Sequence, residues 1–133
     1  SDTEKIAKFG IVSNDRMMIE IIHTDNIGKL VIESIEGFGM TFGQTIGDTI
    51  FWSGRFCQAF RGGNDFERVG RKAIKNHLCG HTSAKDKDVR EALIYRFGAQ
   101  GTKACPGKLY GITSHILSAL AVAVYYSDQL KKR

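Results

Sequence analysis

Glu33 ends the most apolar strand-like run of the chain, KLVIE, and is the first residue whose type and place point to chemistry. A carboxylate at the end of a buried strand must reach water, pair with a cation or bind a metal, because burying it alone is very costly. In open α/β sheets, ligands gather outside the carboxyl ends of the strands, and Glu33 stands at such an end. The other candidates open the last helical pattern, TSHILSALAVAVYY. Thr113, Ser114, His115 and Ser118 are polar, and residues 119–126 are almost wholly apolar. His115 and Ser118 share one face at helical spacing. The positive end of the helix dipole disfavours an imidazolium there, and a neutral imidazole can ligate a metal or accept a proton. This grouping points to metal-dependent chemistry on nucleic acid. Plainer alternatives stay open: Glu33 fanning into solvent, Thr113 or Ser114 acting as a helix cap, and His115 as an ordinary polar residue. Glu36, in the loop after Glu33, is expected to be exposed.

Cations form the second group. Residues 66–108 hold ten Lys or Arg against four Asp or Glu, a local balance of +6. The remainder holds nine against ten, so the total is +5. A basic sector on a nearly neutral body is a footprint of polyanion binding, its plain alternative being a solvated Lys-rich surface. Arg68, Arg71, Lys72 and Lys75, then Lys85 and Lys87, recur around two helix starts, where free backbone amides also suit phosphate. Phe38, in the Gly-flanked loop EGFGM, can stack on an unpaired base or tuck into the core. His77-Leu-Cys79-Gly-His81 has ligand-type residues, but a structural zinc site needs four, and only distant Cys105 is left to complete one. The expectation there is a helix end with one buried thiol. No P-loop, dinucleotide fingerprint, serine-hydrolase elbow or HExxH pattern occurs.

The elements that must position these residues read as follows. At 133 residues the chain is expected to be one domain, residues 1–133, with a core that needs no disulfide or metal staple. Residues 5–12 (KIAKFGIV) read as a strand. Ser13 or Asn14 then caps a short helix carrying Met17, Met18, Ile21 and Ile22, which stops before Gly28. Residues 29–35 read as a second strand, and its run of Leu30, Val31 and Ile32 without alternation suits a parallel sheet covered on both faces. Residues 42–60 form a longer helix whose Gly43, Gly47 and Gly54 share a face. Glycines weaken a helix, so such a face implies close approach of another helix, from this subunit or from a dimer partner. A third strand over 66–69 precedes a basic helix over 71–79. A capping box at Ser83-Ala84-Lys85-Asp86 starts a helix running to Phe97, with Val89, Leu93 and Phe97 on one stripe. The alternation argues for an α/β domain with an open sheet. Three cysteines cannot all pair, and with no signal-peptide pattern the expected setting is reduced and cytoplasmic. No apolar run is long enough to span a bilayer, so no membrane partner is expected.

Five segments taken together resemble the RuvC-type Holliday-junction resolvases, especially the small bacteriophage versions. They are LVIESIEGFGM, FWSGRF, RVGRKAIKNHLCG, AKDKDVREALIYRFG and GTKACPGKLYGITSHILSALAVAVYY, in the family's order along essentially the whole chain. The resemblance implies an RNase H-like fold, a mixed β-sheet flanked by helices. It implies a homodimeric crossover junction endodeoxyribonuclease that cuts symmetric strands of four-way or branched DNA in recombination, repair or phage DNA processing, using Mg²⁺ or Mn²⁺. By resemblance, Glu33 takes the place of the family's strand-end Glu, and His115 and Ser118 take the last-helix positions that are usually Asp-x-x-Asp. The metal set so implied is Glu33, His115 and Ser118, with Glu33 and His115 catalytic. The DNA contacts would come from Phe38, Arg71, Lys72, Lys75, Lys85 and Lys87.

Two departures from the family pattern bear on this. Ser118 is not acidic, and no residue answers to the Asp of the family's first strand. Residues 5–12 resemble the third strand, so the first two strands and their Asp are expected to lie outside this sequence. A degenerate junction- or DNA-binding protein, or another RNase H-like nuclease acting on branched DNA, would share the remaining features.

Overall fold

The computed structural model describes residues 5–24, 27–36 and 43–133. Two compact units are present, Val12–Ala73 on the one hand and Ser1–Ile11 with Ile74–Arg133 on the other.

In Val12–Ala73 the chain opens with α1 (Asn14–His23), where the Ser13 hydroxyl accepts the Arg16 N–H at 3.2 Å and so satisfies a free amide of the first turn. Next come β1 (Leu30–Ser34), α2 (Gln44–Ala59), a 3₁₀ turn at Phe60–Gly62, and β2 (Phe66–Gly70), which runs straight into α3 (Arg71–Cys79). The two strands are parallel, with Leu30 opposite Phe66, Glu33 opposite Val69 and Ser34 opposite Gly70. Parallel pairing needs a crossover, and α2 supplies it. Every residue of β1 is half-buried, whereas Val69 of β2 is buried. Cys57 and Phe60, at the end of α2, are also buried.

In the second unit, α3 ends at Cys79, α4 spans Asp86–Phe97 and α5 spans Ser114–Lys132. Leu93 of α4 is fully buried, as are Leu109 and Ile112 in the loop between α4 and α5. Leu117, Ala121 and Val124 of α5 are buried at the spacing of one helical face.

Two expectations are corrected and a third is narrowed. Residues 5–12 have no regular structure, although their composition reads as a strand. A strand persists only where its N–H and C=O groups find a ladder, and the sheet of the described residues contains β1 and β2 alone. Gly10 weakens the pattern further, and Phe9, Ile11 and Val12 are exposed. The cap of α4, Lys85, lies two residues beyond the expected Ser83. The Lys85 N–H donates to the Asp88 carboxylate at 2.9 Å, while the Ser83 hydroxyl sits 3.0 Å from His81 Nδ1. The acid that satisfies the free amide therefore stands three residues after Lys85, which fixes the start there. Finally, of the two partners left open for the α2 glycines, a helix of the same subunit does not pack closely on Gly43 or Gly54: a Cβ there would meet nothing within 4 Å among the described residues.

Candidate functional site

Glu33 and Glu36 leave the carboxyl end of β1 beside the point where β2 becomes α3. Glu33 Oε1 lies 3.3 Å from Arg71 Nη1, and the two side chains are 33% and 38% exposed. Of the three fates open to a strand-end carboxylate, pairing with a cation is the one observed. Such a pair near the surface is worth little, about 0–1 kcal/mol, so Glu33 remains open to exchange Arg71 for another cation.

Glu36 was expected to be exposed; it is half-buried and caps α3. Its Oε1 accepts the Lys72 N–H at 3.1 Å, where a free amide and the positive end of the helix dipole favour a negative charge. Gly70 makes this possible: a Cβ there would lie 2.6 Å from Glu36 Oε1. Strand, glycine and basic helix thus bring two carboxylates and Arg71 to one sheet edge. Arg71 and Lys72 make further interactions of their own.

His115 is exposed in the first turn of α5, and Ser118 is half-buried one turn on. Thr113 occupies the cap position without a capping hydrogen bond from its side chain. Ser114 has φ 43°, a left-handed conformation that is unfavourable for a residue with a Cβ. Lys85 and Lys87 are exposed, and Lys75 is half-buried. Phe38 lies outside the described residues.

A cluster that the sequence reading missed occupies the second unit. Asp128 of α5 accepts both Nη atoms of Arg96, at 2.6 and 2.7 Å, and stands 2.7 Å from His77 Nε2. The His77 and Tyr125 rings meet in a T-shaped arrangement, their centroids 5.4 Å apart. The Arg96 hydrogen bonds, aided by His77, hold the Asp128 carboxyl well below the usual carboxylate range, although burial pushes the other way. One carboxylate therefore ties the ends of α3 and α4 to α5. A signal was present: Asp128 falls one turn beyond Val124, on the same face as Leu117 and Ala121, and an acid on an apolar face needs a partner.

The HLCGH segment ends α3 as expected, but its thiol is not buried. His77 turns to Asp128 and His81 to Ser83, while Cys79 is half-buried; the buried thiol is Cys57. Burial pushes the Cys57 thiol up, and Arg68 opposes this in part. All three cysteines are free.

No family model matches this chain, and no curated protein sequence matches it significantly. Among solved structures it is similar to RuvC of Thermus thermophilus, with a TM-score of 0.57 and 19% identity over 87% of this chain. The fold is RuvC-like. This chain spans 66% of the Thermus RuvC chain. The small parallel sheet flanked by helices agrees with the RNase H-like class expected from the sequence. No helix among the described residues is long and apolar enough to cross a membrane.

A RuvC-like fold raises the question of a divalent metal, and the donors present do not by themselves fit one. Glu33 is already paired with Arg71 and Glu36 with the Lys72 amide, while His115 and Ser118 contribute a nitrogen and a neutral hydroxyl. Mg²⁺ and Mn²⁺ prefer several oxygen ligands with carboxylates among them. Among the described residues, no three His, Cys, Asp or Glu side chains are grouped as a metal ion would require.

Proposed function

We propose that this protein acts on four-way or branched DNA as a junction-resolving endonuclease of RuvC type, in recombination, repair or phage DNA processing. The observation that carries the reading is the sheet edge. In a RuvC-like fold, the carboxyl end of a parallel strand presents Glu33 beside the amino end of a basic helix. Glu33 is the proposed acidic residue of the cleavage centre. His115 and Ser118 are proposed to face the reacting phosphate from the first turns of α5. Arg71, Lys72, Lys75, Lys85 and Lys87 are proposed to hold the phosphates of the arms, and Phe38 to stack at the crossover.

Paired symmetric cuts need two sites related by a two-fold axis, hence a homodimer. The outer side of α2 is available to a second copy: Ile50 and Phe51 are 46% and 62% exposed, and Gly54 is open. Cleavage in Mg²⁺ or Mn²⁺ calls for at least one further uncommitted carboxylate beside Glu33, since Glu36 is engaged at the start of α3.

That shortage favours a second reading, junction binding without cleavage. Incubation of the purified protein with a synthetic four-way junction, with and without each ion, separates the two. Symmetric nicks that disappear in Glu33→Gln support the nuclease. Binding with no nick in either ion supports the non-cleaving reading. Equal affinity for junction and linear duplex removes both.

A further inference from the structure

The loop between α4 and α5 is built more tightly than a connection requires. Gly101 and Pro106 form an antiparallel bridge, and Thr102 and Cys105 exchange backbone hydrogen bonds, each at 3.1 Å. The Thr102 hydroxyl accepts the Cys105 N–H as well. Lys103 and Ala104 are left as a two-residue tip. Below it, the Gly107 N–H donates to Gln100 O at 2.9 Å, and the Gln100 amide donates to Ile112 O at 2.7 Å. Two glycines are indispensable to this seat. A Cβ on Gly107 would lie 2.0 Å from Ala99 O, and one on Gly101 would lie 2.4 Å from Cys105 O. Leu109 and Ile112 anchor the base in the core, yet residues 101–106 are all exposed.

The chemistry of the segment has one sign. Residues 98–127 contain no Asp or Glu, and their Lys residues are Lys103 at the tip and Lys108 at the base. An anion approaching the tip meets no carboxylate from this stretch. A rigid turn also spares its tip residue much of the backbone ordering that a flexible loop loses on binding, which is how preformed loops gain affinity.

We infer that the 101–106 hairpin is a preformed finger that sets Lys103 on a phosphate of the bound DNA. The inference rests on the branched-DNA reading above and adds a specific contact residue to it. The test is anisotropy of a labelled four-way junction and a matched duplex at several salt concentrations. Three forms are compared: the parent, Lys103→Ala, and a variant with two glycines inserted between Lys103 and Ala104. Loss of one phosphate contact lowers the salt slope by about 0.9, which is about an eightfold weaker complex at 0.1 M salt. Lys103→Ala is expected to show that loss. The insertion keeps the net charge of +5 but frees the tip, and it is expected to lose as much as Lys103→Ala. A parent that binds neither DNA overturns the branched-DNA reading and the finger together. A parent that binds, with an unchanged slope in Lys103→Ala, overturns the finger alone. Parental affinity in the insertion variant overturns the claim that the finger is preformed.

Discussion

Asp128 grips Arg96 through two hydrogen bonds of 2.6 and 2.7 Å, joining the end of α4 to α5 at a point 15% exposed on the carboxylate side. His77, from the last turn of α3, shares the same carboxylate at 2.7 Å. Hydrogen bonds to charged groups contribute about 1.5–3 kcal/mol, and the half-buried Arg96 would lose the carboxylate charge that offsets its desolvation. Asp128→Asn is therefore expected to destabilise the protein by about 2–3 kcal/mol at neutral pH.

The pH dependence has a definite sign. The folded carboxyl titrates below its ordinary value of 3.8, so its stabilisation is present above that pH and is lost as the pH falls through the lower folded value. Urea unfolding at pH 7 and pH 3 checks this. The gap between parent and Asp128→Asn should be widest at pH 7 and narrower at pH 3. A gap that does not narrow would show that packing, not charge, carries the cluster.

Glu36 and Gly70 form a coupled pair. Removing the cap with Glu36→Ala is expected to destabilise α3 by about 1 kcal/mol, the usual worth of an N-terminal cap. Gly70→Ala should lower stability by a similar amount, because its Cβ displaces the carboxylate from the Lys72 amide. The two losses should not add, since both break the same hydrogen bond. Thermal unfolding of the single and double variants measures the coupling, and full additivity would show that Glu36 does not depend on Gly70.

The contrast between these pairs and Glu33 shows what a sequence makes legible. Local punctuation was readable: Gly70 and Gly80 bracket α3, Ser13 starts α1, and the run KLVIE ends in a carboxylate at a strand end. Long-range pairing was not. Asp128 and His77 are 51 residues apart, and Glu36 and Lys72 are 36 apart. No periodicity links such positions, although the acid on the apolar face of α5 demanded some partner. The reading of residues 5–12 as a strand went wrong for the same reason. Composition describes side chains, whereas a strand also needs a neighbour for its backbone. The order of elements pointed to an α/β domain with an open sheet, because fold class depends on that order more than on any one contact, and the resemblance of five segments added the RNase H-like expectation.

Glu33→Gln is expected to leave junction affinity unchanged or slightly tighter, because it removes a negative charge beside Arg71 while keeping the shape. Cleavage, in any form of the protein that shows it, should be lost. His115→Ala should give a smaller cleavage defect than Glu33→Gln in either ion. Filter binding and nicking assays on one junction separate these effects. A collapse of binding in Glu33→Gln would mark Glu33 as structural, and an unaltered rate in His115→Ala with both ions would remove His115 from the site.

The basic residues should act on binding alone. Replacing Lys72, Lys75 and Lys85 with Ala is expected to weaken the junction complex and flatten its salt dependence. Each lost phosphate contact should lower the slope by about 0.9, because fewer counterions are released. Lys85 is exposed at the start of α4 and Lys75 is half-buried in α3, so Lys85→Ala alone should account for more of the loss than Lys75→Ala. Phe38→Ala should spare duplex affinity and weaken the junction, where an aromatic face stacks on an unpaired base for about 1–3 kcal/mol. Anisotropy on matched junction and duplex DNA distinguishes the two contributions. An unchanged slope in the triple variant would reduce the basic sector to a solvated face. Equal loss on both DNAs in Phe38→Ala, or none on either, would remove the crossover role.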